Sequence, residues 1–86
     1  MCKMKSLHEM ANIGKVTESK LLEVGIESPQ KLIDIGSKEV FLRIRMNDSS
    51  ACIRMLYGLE GAIQGVLDNK LPDETKNGLK EFYNSL

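Results

Sequence analysis

A four-residue pattern that occurs twice sets the strongest constraint on this chain. Residues 12–15 read Asn-Ile-Gly-Lys, and residues 34–37 repeat the pattern as Asp-Ile-Gly-Ser, each copy between two helix-like segments. Asn, Asp and Gly tolerate left-handed backbone angles better than other residues, so each copy can end one helix and begin the next. The first amides of the next helix lack intrahelical partners and can bind phosphate. The doubled pattern therefore predicts helix-hairpin-helix elements, typical of a nucleic-acid-binding or regulatory module rather than an enzyme.

The first copy of the pattern is the better candidate for contacting nucleic acid. It carries a lysine where the second copy carries Ser37, and the second copy begins with an acid, Asp34. The second copy is therefore interpreted mainly as a packing element. The candidate nucleic-acid-binding residues are Gly14, Lys15, Val16, Thr17 and Lys20. The alternative, that Gly14 and Gly36 serve only the backbone turn, stays open at this point.

Cap and stop signals predict an all-α, compact bundle of five or six helices. The expected helices run from Ser6 to Asn12, from Thr17 to Val24, from Ser28-Pro29 to the stop at Gly36, from Ser37 to the loop formed by Asn47-Asp48-Ser49, from Ser50 to about Leu67, and onward from Leu71-Pro72. The fifth of these is the longest, and it contains three glycines at 58, 61 and 65. Each glycine costs about 1 kcal/mol relative to alanine in an isolated helix, so we expect another helix backbone to approach closely there.

A single core is expected from the apolar positions that flank both hairpins and line the longest helix. Its predicted members are Ile13, Leu22, Ile26, Leu32, Ile35, Phe41, Leu56, Leu59 and Ile63.

Composition restricts the functional classes further. The 86 residues are expected to form one domain over 1–86, and twelve basic residues balance twelve acidic ones. A neutral domain releases few counterions, so tight nonspecific DNA binding is not expected. Cys2 and Cys52 lack the spacing of a disulfide framework or zinc site, which predicts reduced thiols and a cytoplasmic protein. Nothing predicts a signal peptide, membrane span, metal, cofactor, active site or small-molecule substrate.

Several segments resemble a known family. They are residues 12–15, residues 21–26 (Leu-Leu-Glu-Val-Gly-Ile), residues 32–36 (Leu-Ile-Asp-Ile-Gly), and residues 56–65 (Leu-Tyr-Gly-Leu-Glu-Gly-Ala-Ile-Gln-Gly) followed by Leu71-Pro72. In this order they resemble the C-terminal domain of the TfoX/Sxy family, from about Leu7 to Leu79. The resemblance implies an all-helical, helix-hairpin-helix-like fold. It also implies a role in competence gene expression, in proteins where an α/β domain precedes this one. Here we expect the domain to be free-standing.

Two functional classes remain open for a non-enzymatic regulator of this type. One is a module that contacts the DNA backbone weakly through the first hairpin. The other is a protein-interaction domain whose partner is a second copy of the chain or a component of the transcription machinery. The neutral charge favours protein interaction, whereas the doubled hairpin favours DNA.

Overall fold

Turn and cap residues divide the chain into short helices joined by tight connections. The computed structural model describes residues 7–86, except the side chain of His8, so Cys2 and the cap predicted at Ser6 lie outside the described residues. The helices are α1 (Lys15–Glu23), α2 (Pro29–Ile35), α3 (Ser37–Asn47), α4 (Ile53–Gln64) and α5 (Asp73–Asn84), with 3₁₀ turns at Leu7–Glu9 and Asp68–Lys70. No strand occurs between residues 7 and 86, and the predicted all-α class is confirmed.

Local signals placed the connection between α1 and α2 correctly. Gly25 follows α1 with φ +86°, a left-handed conformation that glycine adopts without steric cost. The Oγ of Ser28 then accepts a hydrogen bond of 3.2 Å from the amide of Lys31, and Pro29 occupies the first helical position of α2. Gly36, with φ +96°, separates α2 from α3. These boundaries depend on one or two residues each, which is why sequence signals suffice to find them.

Several helix boundaries differ from the predictions. The segment predicted as a helix from Ser6 to Asn12 contains only a 3₁₀ turn at Leu7–Glu9 in the described residues, and the helix predicted to begin at Ser50 begins at Ile53, after Cys52 as its cap. The helix predicted to begin at Thr17 begins at Lys15, because Gly14 takes the cap position in an extended conformation. The helix predicted to reach Leu67 ends at Gln64, because Gly65 is left-handed with φ +76° and acts as its C-cap. Gly65 is therefore a stop signal and not a third glycine inside α4. As a result α4 has 12 residues, the same length as α5, and no single helix is longest.

The core is centred on α4, which packs against α3 and α5. Helix α2 packs against both α3 and α4, and α1 packs against α3. Of the predicted core positions, six are buried: Ile13, Ile26, Leu32, Phe41, Leu56 and Leu59. Ile35 and Ile63 are partly buried against this core. Leu22 is wrong as a core residue, because it is 50% exposed while its neighbour Leu21 is fully buried. Successive helical residues differ by about 100° in direction, so only one of two adjacent leucines can face the core.

Asn12 joins the beginning of the described chain to the end of α4. It has φ +68°, and its side-chain amide donates to the carbonyl oxygens of Gly58 at 3.4 Å and Val66 at 3.0 Å. Its side-chain oxygen accepts from the amide of Asp68 at 3.1 Å. One side chain thus bonds to α4 and to the connection that follows it, across more than 45 residues of sequence. These bonds fix the turn before α1 onto the C-terminal half of the domain.

Gly61 is required by the space that Asn12 fills. A Cβ atom at this position would lie 2.5 Å from the side-chain nitrogen of Asn12 and 2.8 Å from the carbonyl oxygen of Val66. The predicted close approach at Gly61 is therefore real, but a side chain and a loop carbonyl make it, not a neighbouring helix backbone. Gly78 in α5 offers the opposite case, since nothing lies within 4 Å of a Cβ there.

A pair of glycine substitutions tests this difference. Gly61→Ala should lower the free energy of unfolding by about 1–3 kcal/mol, because overpacking outweighs the gain in helix propensity. Gly78→Ala, the matched control, should raise it by up to about 1 kcal/mol through propensity alone. Denaturant unfolding of both variants measures the two changes. A stabilised Gly61→Ala variant would contradict the close contact with Asn12.

Substitution of Asn12 tests its three hydrogen bonds. Asn12→Ala should destabilise the domain by about 2–3 kcal/mol, because net losses of about 1 kcal/mol per bond accumulate and a non-glycine residue without a polar side chain must stay left-handed. Asn12→Asp keeps the acceptor but removes both donated bonds, so it should also destabilise. Asn77→Ala, at an exposed position of α5, is the control and should change stability by less than about 0.5 kcal/mol. Equal unfolding curves for Asn12→Ala and Asn77→Ala would refute the role of Asn12.

Candidate nucleic-acid interface at the first hairpin

The two copies of the repeated pattern adopt different backbones. In the first copy the left-handed residue is Asn12, while Gly14 has φ −92° and is extended. In the second copy Asp34 lies within α2 and Gly36 supplies the positive φ. The interpretation that the backbone turn requires a glycine is therefore correct for Gly36 and wrong for Gly14. An extended residue with open space around it does not have to be glycine.

The beginning of α1 presents unpaired amides to solvent. No hydrogen bond within residues 7–86 reaches the amides of Lys15, Val16 and Thr17, which form the first turn after Gly14. Lys15 and Val16 are exposed, and Thr17 is half-buried. Unpaired amides and the positive end of the helix dipole favour an anion here. Glu18 adds a carboxylate to the same turn and reduces that preference.

Lys20 is engaged in an ion pair with Asp48, the residue that follows α3. The hydrogen bond to Asp48 raises the pKa of Lys20 above its usual 10.5. The same bond, together with bonds from the hydroxyl and amide of Ser50, lowers the pKa of Asp48 to about 2. Both side chains are about one-quarter exposed. The pair fastens α1 to the end of α3 and neutralises one of the two lysines expected to attract phosphate.

The second hairpin is closed by a carboxylate of the protein itself. The buried hydroxyl of Ser37, at the first position of α3, donates to Oε1 of Glu60 at 2.6 Å. The other oxygen of Glu60 accepts from Gln64 at 2.6 Å. A negative charge near a helix N-terminus interacts favourably with the helix dipole, so Glu60 occupies the side that a phosphate would approach. This arrangement agrees with the interpretation of the second copy as a packing element.

The arginines near the loop at Asn47 have separate surroundings. Arg43 is exposed and bonds to Glu39 at 3.3 Å within α3. The Arg45 guanidinium carbon lies 5.1 Å from the centre of the Tyr83 ring, a cation–π contact. Arg54, in the first turn of α4, is exposed and makes no ion pair with residues 7–86. Arg54 is thus the member of this group with a charge available to a ligand.

A cleft of about 200 Å³ brings Arg54 next to the candidate site. Thr17 and Arg54 line it together with Asp68 and Asn12. The side chain of Asn12 is the one that bonds to Gly58, Val66 and Asp68. Sequence analysis missed the proximity of Arg54 to Thr17. The two residues lie in different helices far apart in sequence, so no local pattern signals that they line the same cleft. Contact with nucleic acid at Gly14, Lys15, Val16, Thr17 and Lys20 stays a prediction.

Other types of site find little support in the described part of the chain. Within residues 7–86, no three His, Cys, Asp or Glu side chains are grouped so as to hold a metal ion. Cys52 is an exposed free cysteine immediately before α4. Among the helices described here, none combines the length and apolar character needed to cross a bilayer.

Acid unfolding tests the ion pair between Lys20 and Asp48. Because the pKa of Asp48 is lower in the folded protein than its usual 3.8, its contribution to stability is complete above about pH 4 and is lost as the pH falls towards 2. The raised pKa of Lys20 keeps the pair charged beyond pH 10.5 at the alkaline end. The thermal midpoint of Asp48→Asn should therefore vary less than that of the native chain between pH 4 and 2. Asp34→Asn, which removes an exposed carboxylate of α2, is the control. Parallel profiles for Asp48→Asn and the native chain would exclude the shift.

Comparison with known proteins places this geometry in a family. Residues 3–83 match the model of the TfoX C-terminal domain. Protein Sxy of Escherichia coli (strain K12) is 35% identical over 80 residues, which cover 93% of this chain and 38% of the length of Sxy. An uncharacterised Listeria monocytogenes protein in a triclinic crystal form superposes with a TM-score of 0.92 at 51% identity, covering 93% of this chain and 91% of that one.

A Listeria monocytogenes protein of unknown function in a tetragonal form gives a TM-score of 0.90 at 52% identity, covering 92% of this chain and 98% of the other. The fold and the sequence thus agree along nearly the whole chain. This chain belongs to the TfoX C-terminal domain family.

Proposed function

We propose that this domain is a non-enzymatic regulator that acts in transcription through contact with another macromolecule. Membership of the TfoX C-terminal domain family and the likeness to Sxy support a competence-regulator-like domain. The chain spans 38% of the length of Sxy, so a competence role for this chain is itself part of the proposal.

The difference between the two hairpins is the observation that carries the proposal. No bond within residues 7–86 reaches the first three amides of α3 or those of α1. The two hairpins differ in charge: the carboxylate of Glu60 bonds to Ser37 at the beginning of α3, where it would repel a phosphate, whereas a lysine is the first residue of α1. Lys15 stands exposed beside the amides of α1. Such an arrangement suits a phosphate group of a nucleic-acid backbone, which accepts hydrogen bonds from amides and attracts the lysine. We therefore propose the first hairpin as a contact for the DNA backbone.

The DNA contact should be weak. The domain carries no net charge, and Asp48 already neutralises Lys20. A protein that neutralises only one or two phosphates releases few counterions and depends little on salt. Such binding serves a regulator that is brought to its target by a second interaction, and it does not suit a domain that finds a site alone.

Protein contact is the second candidate function, and exposed apolar side chains favour it. Val16 and Leu22 of α1 are 72% and 50% exposed, and Met46 near the end of α3 is 86% exposed. These residues lie on the two helices that the Lys20–Asp48 pair fastens together. Burial of such side chains against a partner is favourable by about 25 cal/mol per Å² of apolar surface. The partner would be a second copy of the chain or a component of the transcription machinery.

Titration with a short DNA duplex at low salt separates the two candidates. If the first hairpin binds phosphate, amide chemical shifts should change most at Gly14, Lys15, Val16 and Thr17, with a dissociation constant no tighter than about 10⁻⁴–10⁻⁶ M. Lys15→Glu should abolish binding and leave the fold intact. Lys31→Glu makes the same charge change on the exposed side of α2 and should bind nearly as the native chain does.

Uniform small shifts, or none, would exclude the first hairpin as a DNA contact. Protein interaction would then be the remaining candidate. A sedimentation measurement of the free domain over a range of concentrations would show whether the partner is a second copy.

A further inference from the structure

Arg54 lies between two adjacent clefts on one side of the domain. The first, of about 200 Å³, is lined by Arg54 and Thr17, so it adjoins the beginning of α1. The second, of about 360 Å³, is lined by Arg54 and by Lys76 of α5, together with Tyr57 and Asn69. The two clefts share Arg54 and Asp68, which makes them one continuous surface. Residues from α1, α4 and α5 therefore meet along a path that no sequence pattern indicates.

The charged groups on this surface are left available to a ligand. Neither Arg54 nor Lys76 forms an ion pair with residues 7–86. Among residues 7–86, Asp68 is the one acid that lines the two clefts, and Arg54 and Lys76 are the cations that line them. The amide of Asp68 is held by Asn12, so its position is fixed by the fold. The hydroxyl of Thr17 in the first cleft, and the hydroxyl of Tyr57 and the amide of Asn69 in the second, add neutral hydrogen-bonding groups.

We propose that Arg54 and Lys76 bind phosphate groups of a nucleic-acid backbone and extend the contact that begins at α1. This inference rests on the DNA contact proposed above for the first hairpin. It adds two contact residues, Arg54 and Lys76, that the sequence patterns did not predict. The planar guanidinium of Arg54 can donate two parallel hydrogen bonds to one phosphate. Lys76 supplies a second positive charge farther along the path. Arg54 thus takes the place of Lys20, whose charge is neutralised by Asp48.

The arrangement of the surface favours a nucleic-acid backbone over an acidic peptide. Arg54 lines both clefts and Lys76 lines the second, with neutral hydrogen-bonding groups in each, which suits a chain of separate phosphates. A protein partner would be expected to cover exposed apolar side chains. The most exposed of these, Val16 and Met46, line neither cleft.

The test measures binding of a 12-base-pair duplex to the full chain as a function of salt. Arg54→Gln and Lys76→Gln should each weaken binding and reduce the slope of log K against log salt by about 0.9, the value for one lost phosphate contact. Asp68→Asn should have the opposite effect and tighten binding, because it removes the carboxylate that repels phosphate. Lys31→Gln, which changes the same charge outside both clefts, should leave the slope unchanged. Amide spectra of each variant show whether the fold is retained.

Three results would overturn the inference. Equal losses for Lys31→Gln and Arg54→Gln would show that net charge alone governs binding. Loss of binding in Lys15→Glu without a change in Arg54→Gln and Lys76→Gln would leave the hairpin contact intact and remove this extension. Absence of duplex binding, with shifts at Arg54 and Lys76 on addition of an octaglutamate peptide, would assign the surface to an acidic protein segment and refute the DNA contact as well.

Discussion

The hydrogen bonds of Asn12 connect parts of the domain that the order of helices would otherwise leave independent. Its side chain reaches the carbonyl oxygens of Gly58 and Val66 and the amide of Asp68. The position of α1 relative to α4 depends on these bonds, because Asn12 lies in the turn just before α1. Gly61 is the counterpart of this arrangement, since any larger side chain would displace the Asn12 amide. The candidate interface is therefore built on a contact between the two halves of the sequence.

Sequence signals that act within a few residues were sufficient for most of the fold. Gly25, Ser28 and Gly36 each mark a boundary through their own backbone or side chain, and the structure confirms all three. Sequence patterns were less reliable where they had to decide which of two adjacent residues faces the core, or which residue ends a helix. Leu22 is predicted as a core residue although Leu21 is the one that faces the core, because the sequence of α1 offers two adjacent leucines and no local signal separates them. Gly65 was read as part of a helix, since the apolar spacing continues past the residue that stops it.

The contacts at the candidate site could not be predicted from local sequence patterns. A local pattern located the beginning of α1, but it could not reveal that Asp48 neutralises Lys20 across 28 positions of sequence. It also could not place Arg54 in the same cleft as Thr17, because the two residues lie in different helices and are brought together only by the tertiary fold. Contacts of this kind depend on the relative orientation of helices, which is decided by the whole core. A lysine near a hairpin is therefore weak evidence for a phosphate contact until its partners are known.

The repeated pattern has served two different purposes on one scaffold. In the second copy, Gly36 supplies the positive φ, and the carboxylate of Glu60, from α4, accepts a hydrogen bond from the hydroxyl of Ser37 at the beginning of α3. In the first copy the positive φ has moved to Asn12, whose side chain is then free to bond across the domain. This shift fixes the turn without using the amides of α1, which stay available. A carboxylate beside a helix N-terminus disfavours a phosphate there, as Glu60 does at α3, whereas the first copy presents Lys15 at the same point of α1. The physical difference between the copies thus lies in the charge beside the helix N-terminus, and it explains why the first is the better candidate for binding.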